Sequence, residues 1–255
     1  MDLANAALLV AAGLAAGTVN AIAGGGSLIT FPALLTTGLA PVPANVTNSV
    51  AVVPGYLASV AGSRTDLVDL SNEGRRRQLL ALAPTAVLGS VAGCVLLLAT
   101  PARAFEIVVP FLVLGAALAL AFQPQLKRLV GHAHGSRPVR LHLVVGAGAV
   151  YGGYFGAALG VMLVAALGLV LDTTLARVSA LKNAVSAVVG LTTFVAFGVF
   201  GPVNWADVAV LAPATVTGGY VGARIARRLP AAVLRTLIVT LGGVVGVVLL
   251  VRAFT

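Results

Sequence analysis

The chain has 255 residues, 59% of them hydrophobic and 9% charged, with a net charge of +9 and a mean hydropathy of +1.06. A soluble domain carries roughly 25% charged residues, so too few charges remain to cover a water-soluble surface of this size. Nucleic acid is not indicated as a partner either, because the arginines cluster in short gaps between apolar segments, the pattern of cytoplasmic loops.

Met1-Asp2 leads straight into apolar sequence with no basic region ahead of it, so the first segment is expected to belong to the fold and not to a cleaved signal peptide. Apolar segments are predicted at 4–23, 27–38, 43–62, 78–99 and 103–122. A polar stretch from Gln123 to Arg140 follows, containing Lys127, Arg128, Arg137 and Arg140. A second set is predicted at 141–156, 160–171, 176–198, 205–226 and 231–251. Runs of about 18 or more apolar residues are long enough to span a bilayer. Barrel strands would alternate polar and apolar residues, whereas these segments are continuously apolar, so helices are expected.

The two sets repeat each other. An offset of 135 places Gly13 on Gly148, Gly17 on Gly152, Gly25 on Gly160 and Asn48 on Asn183. An offset of 129 places Pro84 on Pro213, Gly89 on Gly218, Gly93 on Gly222 and Pro101 on Pro230. Internal duplication of this kind is common in transporters. The expected organisation is a first transmembrane repeat over 1–125, a basic linker over 126–140 and a second repeat over 141–255.

Arg64, Arg75, Arg76 and Arg77 mark one loop as cytoplasmic, and the central loop carries the same sign. In the second half the basic residues Arg224, Arg227, Arg228 and Arg235 fall between the last two segments, where the first half has only Arg103. Corresponding loops therefore face opposite sides. The predicted fold class is an all-α polytopic membrane protein of two inverted-topology repeats. Each repeat has about five transmembrane or half-membrane helices, with helix breaks at the centre. Inversion needs an odd number of crossings per repeat, met by five spans or by three spans plus a re-entrant hairpin over 4–23 and 27–38. Both termini are then expected outside and the central loop in the cytoplasm.

Gly24-Gly25-Gly26 interrupts an apolar run just after Asn20 and before Ser27. Each glycine weakens a helix by about 1 kcal/mol relative to alanine, so three together should open it. Freed backbone groups at membrane depth are tolerated only inside protein or facing a water-filled cavity, and such breaks mark substrate sites in transporters. A helix restarting at Ser27 would aim unpaired N–H groups and a positive dipole end at that cavity, which suits an anion. The alternative is close helix packing by small residues. The second-half counterpart, Tyr151 to Gly160, has dispersed glycines and Phe155 in place of Asn20, so the site is expected to be asymmetric.

A second candidate group is Thr47-Asn48, matched by Lys182-Asn183. Buried asparagines need partners and offer both donors and acceptors. Lys182 lies inside an apolar segment, where it would either hold an anion or snorkel to the interface beside Arg177. The acidic residues Asp2, Asp66, Asp69, Glu73, Asp172 and Asp207 fall at loops or ends and Glu106 near the start of a segment, which favours an anionic over a cationic substrate. Cys94 reads as a packing residue. His132 and His134 sit in the polar linker and read as solvated, so no metal site and no cofactor is expected. No nucleophile, base or carboxylate cluster marks an enzyme, and no Lys-Ser/Thr follows the glycines to make a phosphate loop.

The stretch Gly17 to Pro32, with Asn20-Ala-Ile-Ala-Gly-Gly-Gly, resembles the signature of the TauE/SafE family of sulfite-exporter-like membrane proteins. Leu181-Lys182-Asn183 and the run from Gly218 to Pro230 resemble that family's second repeat. The resemblance implies secondary transport or export of small anions such as sulfite, sulfoacetate and related organosulfonates, in a bacterial-type inner membrane. Relatives often have Lys where Ser49 stands here, so the resemblance carries over no second cationic contact. The expected substrate-binding residues are Asn20, Gly24, Gly25, Gly26, Ser27, Thr47, Asn48, Lys182 and Asn183. The expected partners are a small anion, the lipid bilayer, protons as coupling ions and a second copy of the chain as a homodimer. A passive anion channel and a membrane-embedded enzyme are the competing readings.

Overall fold

Every segment that the sequence marks as apolar is helical in the computed structural model, which describes residues 2–22, 25–62, 73–128, 138–171, 175–225 and 231–254. In chain order the helices are α1 (Leu3–Ile22), α2 (Ser27–Thr36), α3 (Pro41–Gly62), α4 (Glu73–Ala99), α5 (Ala102–Ala121) and the short α6 (Gln123–Arg128). The second half supplies α7 (Pro138–Tyr154), α8 (Leu159–Val170), α9 (Leu175–Phe200), α10 (Trp205–Ile225) and α11 (Ala231–Phe254). There is no strand among the described residues. Gly24, His132, His134, Asp66, Asp69 and Asp172 lie outside them, as do residues 63–72, 129–137 and 226–230 as a whole.

The boundaries follow from local chemistry. Gly38, at φ +95, ends α2 in a conformation that side chains rarely adopt. Pro41 opens α3 at the first helical position, where its missing N–H is harmless. Asn204 caps α10, its Oδ1 accepting the N–H groups of Ala206 at 3.1 Å and Asp207 at 3.2 Å.

Among the described residues five helices, α1, α4, α5, α9 and α11, are long and apolar enough to cross a membrane. Helices α3 and α10 have the length but are less apolar. In α3 the difference is Asn45, Thr47 and Asn48, which are buried within the protein and so need not face lipid. At 10 and 12 residues, α2 and α8 reach only about 15–18 Å, short of the roughly 30 Å hydrocarbon core. The exterior is apolar, with Leu88, Val95, Phe111, Leu143, Val199 and Phe200 all exposed.

The helices interlock across the two halves. Helix α1 packs chiefly on α10, and α4 chiefly on α7. Helix α10 also packs on α3, as α4 does on α9, while α5 meets α11 and α3 meets α9. Glycines make the closest of these contacts. A Cβ at Gly218 would strike Leu14, and one at Gly222 would strike Thr18. One at Gly89 would strike Ala149, and one at Gly93 would strike Gly153. The offsets of 129 and 135 carry the first pair of contacts onto the second, so the sequence repeat reappears in the packing. One of the two buried apolar clusters combines α7, α8 and α9 with α4, taken from the other half.

Candidate functional site

Both helix breaks open onto one cavity. Helix α1 stops at Ile22 and α2 restarts at Ser27, with Gly25 at φ +105. Asn20 bridges this break, its Oδ1 accepting the Gly26 N–H at 2.7 Å. Gly26 has no room for a side chain, because a Cβ there would lie 2.9 Å from Asn20 Cγ. The second break runs from Phe155 to Ala158, with Gly156 at φ +72 and Ala158 at φ 55. It is tied by the Tyr151 hydroxyl, which donates to the Ala157 carbonyl at 2.6 Å.

The cavity has an empty volume of about 720 Å³, part of it open to solvent. The first break contributes Asn20, Gly25 and Ser27, and the second contributes Phe155, Gly156, Ala158, Leu159 and Gly160. Helix α3 adds Ser49, Val52, Val53 and Leu57, and α9 adds Ser186, Val189, Gly190 and Thr193. The N-terminal ends of two half-length helices, α2 and α8, thus meet at one cavity. Their first turns are largely closed by backbone hydrogen bonds, Leu28 N–H to Gly25 O and Ile29 N–H to Gly26 O in α2 and Leu159 N–H to Gly156 O in α8, so each presents chiefly the positive end of its helix dipole. No charged side chain lines it among the described residues.

The lining hydroxyls differ in what they can offer. Ser49 Oγ donates to the Asn45 carbonyl at 2.9 Å, and Thr193 Oγ1 donates to Gly190 O at 2.9 Å, so both donors are engaged within their helices. The Ser186 hydroxyl is buried without a hydrogen-bond partner among the described residues. A buried polar group left unpaired costs about 1–3 kcal/mol, so an acceptor entering the cavity beside it would relieve that penalty. Asn20 Nδ2 makes no hydrogen bond among the described residues.

The sequence-expected residues divide in two. Asn20, Gly25 and Ser27 line the cavity, with Gly26 directly behind them. Thr47 and Asn48 are buried away from the lining. Thr47 Oγ1 accepts the Asn204 N–H at 3.0 Å, and Asn48 Oδ1 accepts the Thr30 hydroxyl. Lys182 and Asn183 are half-buried on α9 and are not among the lining residues. Asn183 is engaged within the protein. Lys182 stands four residues before Ser186, on the same helix face one turn along. Ser49, Ser186 and Thr193 join the site without having been expected. The spacing from Lys182 through Ser186 to Thr193, by 4 and then 7 residues within an apolar segment, was the available signal.

The second break is also clamped to the first half. Asn45 Nδ2 donates to the Tyr154 carbonyl at 2.9 Å. Phe155 stands edge-on to Phe31 of α2, with ring centroids 5.5 Å apart, and the Tyr154 ring lies 5.8 Å from that of Phe105.

A family model described as Sulfite exporter TauE/SafE matches residues 9–249. The chain is 30% identical over 225 residues to a "Probable membrane transporter protein" of Haemophilus influenzae, covering 86% of this chain and 84% of the relative. It is 32% identical over 224 residues to "Probable membrane transporter protein YfcA" of Escherichia coli strain K12, covering 84% and 76%. A third relative, "Probable membrane transporter protein ORF9" of a Sinorhizobium species, is 29% identical over 240 residues, covering 91% and 87%. No solved structure matches the chain. With a match from residue 9 to residue 249, this multi-pass helical chain belongs to the TauE/SafE sulfite exporter family.

Proposed function

We propose that the protein is a secondary transporter, working as an exporter, that moves a small anion such as a sulfur oxyanion or sulfonate by alternating access around the central cavity. The observation that carries this reading is the convergence of the α2 and α8 N-termini on one cavity. Two positive dipole ends and hydroxyls suit an oxyanion, and the lining holds no carboxylate among the described residues to repel it. Lys182, one turn from Ser186, adds a positive charge to the same face of α9. In this reading α1–α2 and α7–α8 are re-entrant hairpins, since neither α2 nor α8 can cross alone, and the remaining three helices of each repeat span the bilayer. The repeats are inverted, with the central basic loop cytoplasmic, and protons are the economical coupling ion.

The test is a thermal-shift screen of the purified protein against sulfite, sulfate, thiosulfate, sulfoacetate and small carboxylates, followed by flux measurements in proteoliposomes. A ligand that binds the folded state raises its apparent stability. Uphill anion movement driven by an imposed proton gradient is expected. Purely downhill flux would identify a channel, and the absence of any stabilising anion would refute the anion site.

A further inference from the structure

Asn20 and Phe155 occupy equivalent positions in the sequence repeat, 135 residues apart, and both line the cavity, Asn20 from the last turn of α1 and Phe155 from just past the end of α7. We propose that this replacement sets the substrate class: the cavity selects a monovalent organic anion with a short alkyl tail over inorganic sulfite and over the dianion sulfoacetate, and Phe155 is the specificity-determining residue. The inference rests on the anion-transporter reading above.

The donors that could meet an anionic head are Asn20 Nδ2, the Ser27 hydroxyl and the Ser186 hydroxyl. Ser186 is 7% exposed and its Oγ has no partner among the described residues, so it is an unused donor on the cavity wall. The second break offers no comparable side chain. Phe155 is 2% exposed and held edge-on by Phe31, while Ala158 and Leu159 continue the apolar surface, and Val189 faces the same space from α9. Sulfite holds its three oxygens on one side of sulfur and only a lone pair on the other, so it could meet the donors but would leave this apolar wall uncovered, with nothing buried there to offset the desolvation of its charge. A sulfonate or carboxylate with an alkyl substituent gathers its oxygens at one end and presents C–H groups at the other. A second charge on the tail, as in sulfoacetate, would meet the aromatic ring with no cation among the lining residues to balance it.

Binding is measured on the full-length protein by thermal-shift titration with sulfite, sulfoacetate and methane-, ethane-, propane- and butanesulfonate, with n-alkylammonium ions of the same lengths as controls. Burial of each methylene should tighten binding about threefold to fourfold across the sulfonates until the wall is covered. The ammonium ions should not stabilise the protein. Phe155→Asn, which restores the residue of the first break, should flatten the chain-length series, and Phe155→Leu, the milder change, should preserve its slope. Ser186→Ala should weaken all the sulfonates by a similar factor, because it acts on the head. A flat series in the unmodified protein, or sulfite or sulfoacetate binding more tightly than propanesulfonate, overturns the inference while leaving the anion site standing. Failure of every anion to bind overturns both. An equal slope for the ammonium ions would assign the gain to nonspecific partitioning and also overturns it.

Discussion

Substituting alanine at Gly89 tests whether the repeat in the packing bears on stability. A Cβ at this position would lie 2.8 Å from the Gly146 carbonyl oxygen and 2.9 Å from Ala149 Cβ. Ordinary contacts begin at about 3.4 Å, so α4 and α7 must part by roughly half an ångström. A gap of that size forfeits about a quarter of each atom pair's attraction, and ~40 interfacial pairs of ~0.15 kcal/mol then lose ~1.5 kcal/mol. Forcing volume into a packed interior adds local strain, for a total of about 2–3 kcal/mol. The better helix propensity of alanine returns up to about 1 kcal/mol, leaving a net loss of about 1–2 kcal/mol. Gly115 is the matched control, because a Cβ there meets nothing within 4 Å, and Gly115→Ala should be neutral or stabilising. The assay is the fraction of detergent-solubilised protein that stays monodisperse after heating. The Gly89→Ala midpoint should fall by several degrees, at roughly 2–4 °C per kcal/mol. Gly218→Ala, the position matched by the offset of 129, should cost more, because its Cβ would press closer still on backbone, against the Leu14 carbonyl oxygen. Equal midpoints for Gly89→Ala and Gly115→Ala would refute the close-contact reasoning.

Two further outcomes are expected. Asn48→Ala removes the side-chain acceptor of the buried Thr30 hydroxyl, leaving it only the long bond to Gly26 O at 3.4 Å, and should cost about 1–2 kcal/mol of stability. A double-mutant cycle with Thr30→Val should show coupling between the two, and additive losses would mean that the bond contributes nothing. Lys182→Ala should weaken anion binding strongly while leaving the heating midpoint near that of the unmodified protein, and Lys182→Arg should restore part of it. Unchanged affinity in Lys182→Ala would remove this lysine from the site.

Much of the fold was legible because a membrane helix needs a long apolar run, and such runs are conspicuous. The segments expected at 27–38 and 205–226 became α2 at Ser27–Thr36 and α10 at Trp205–Ile225. The offset that matched Gly89 to Gly218 also held, since both serve as close-contact points on corresponding helices. The site was legible at the first break, where three consecutive glycines have no ordinary helical explanation. It was less legible on α3 and α9. A polar residue in an apolar helix looks the same in sequence whether it faces a cavity or another helix. Thr47 and Asn48 bond to Asn204 and Thr30 instead of lining the cavity, while Ser49, next in sequence, does line it. Helices that are apolar on all sides provide no polar face from which to read that direction.

The cross-packing of the halves has a consequence for how the chain is made. Helix α1 rests mainly on α10, yet about 200 residues separate Ile22 from Ile225. At a synthesis rate of about 5–20 residues per second, α1 waits roughly 10–40 s in the bilayer for its principal partner to be translated. During that interval Gly13 and Gly17, which α10 later covers, are open to lipid or to the insertion machinery. Helix α4 waits far less, since α7 begins at Pro138. The two halves therefore cannot mature one after the other: α4 meets its main partner at the start of the second half, and α1 only near its end.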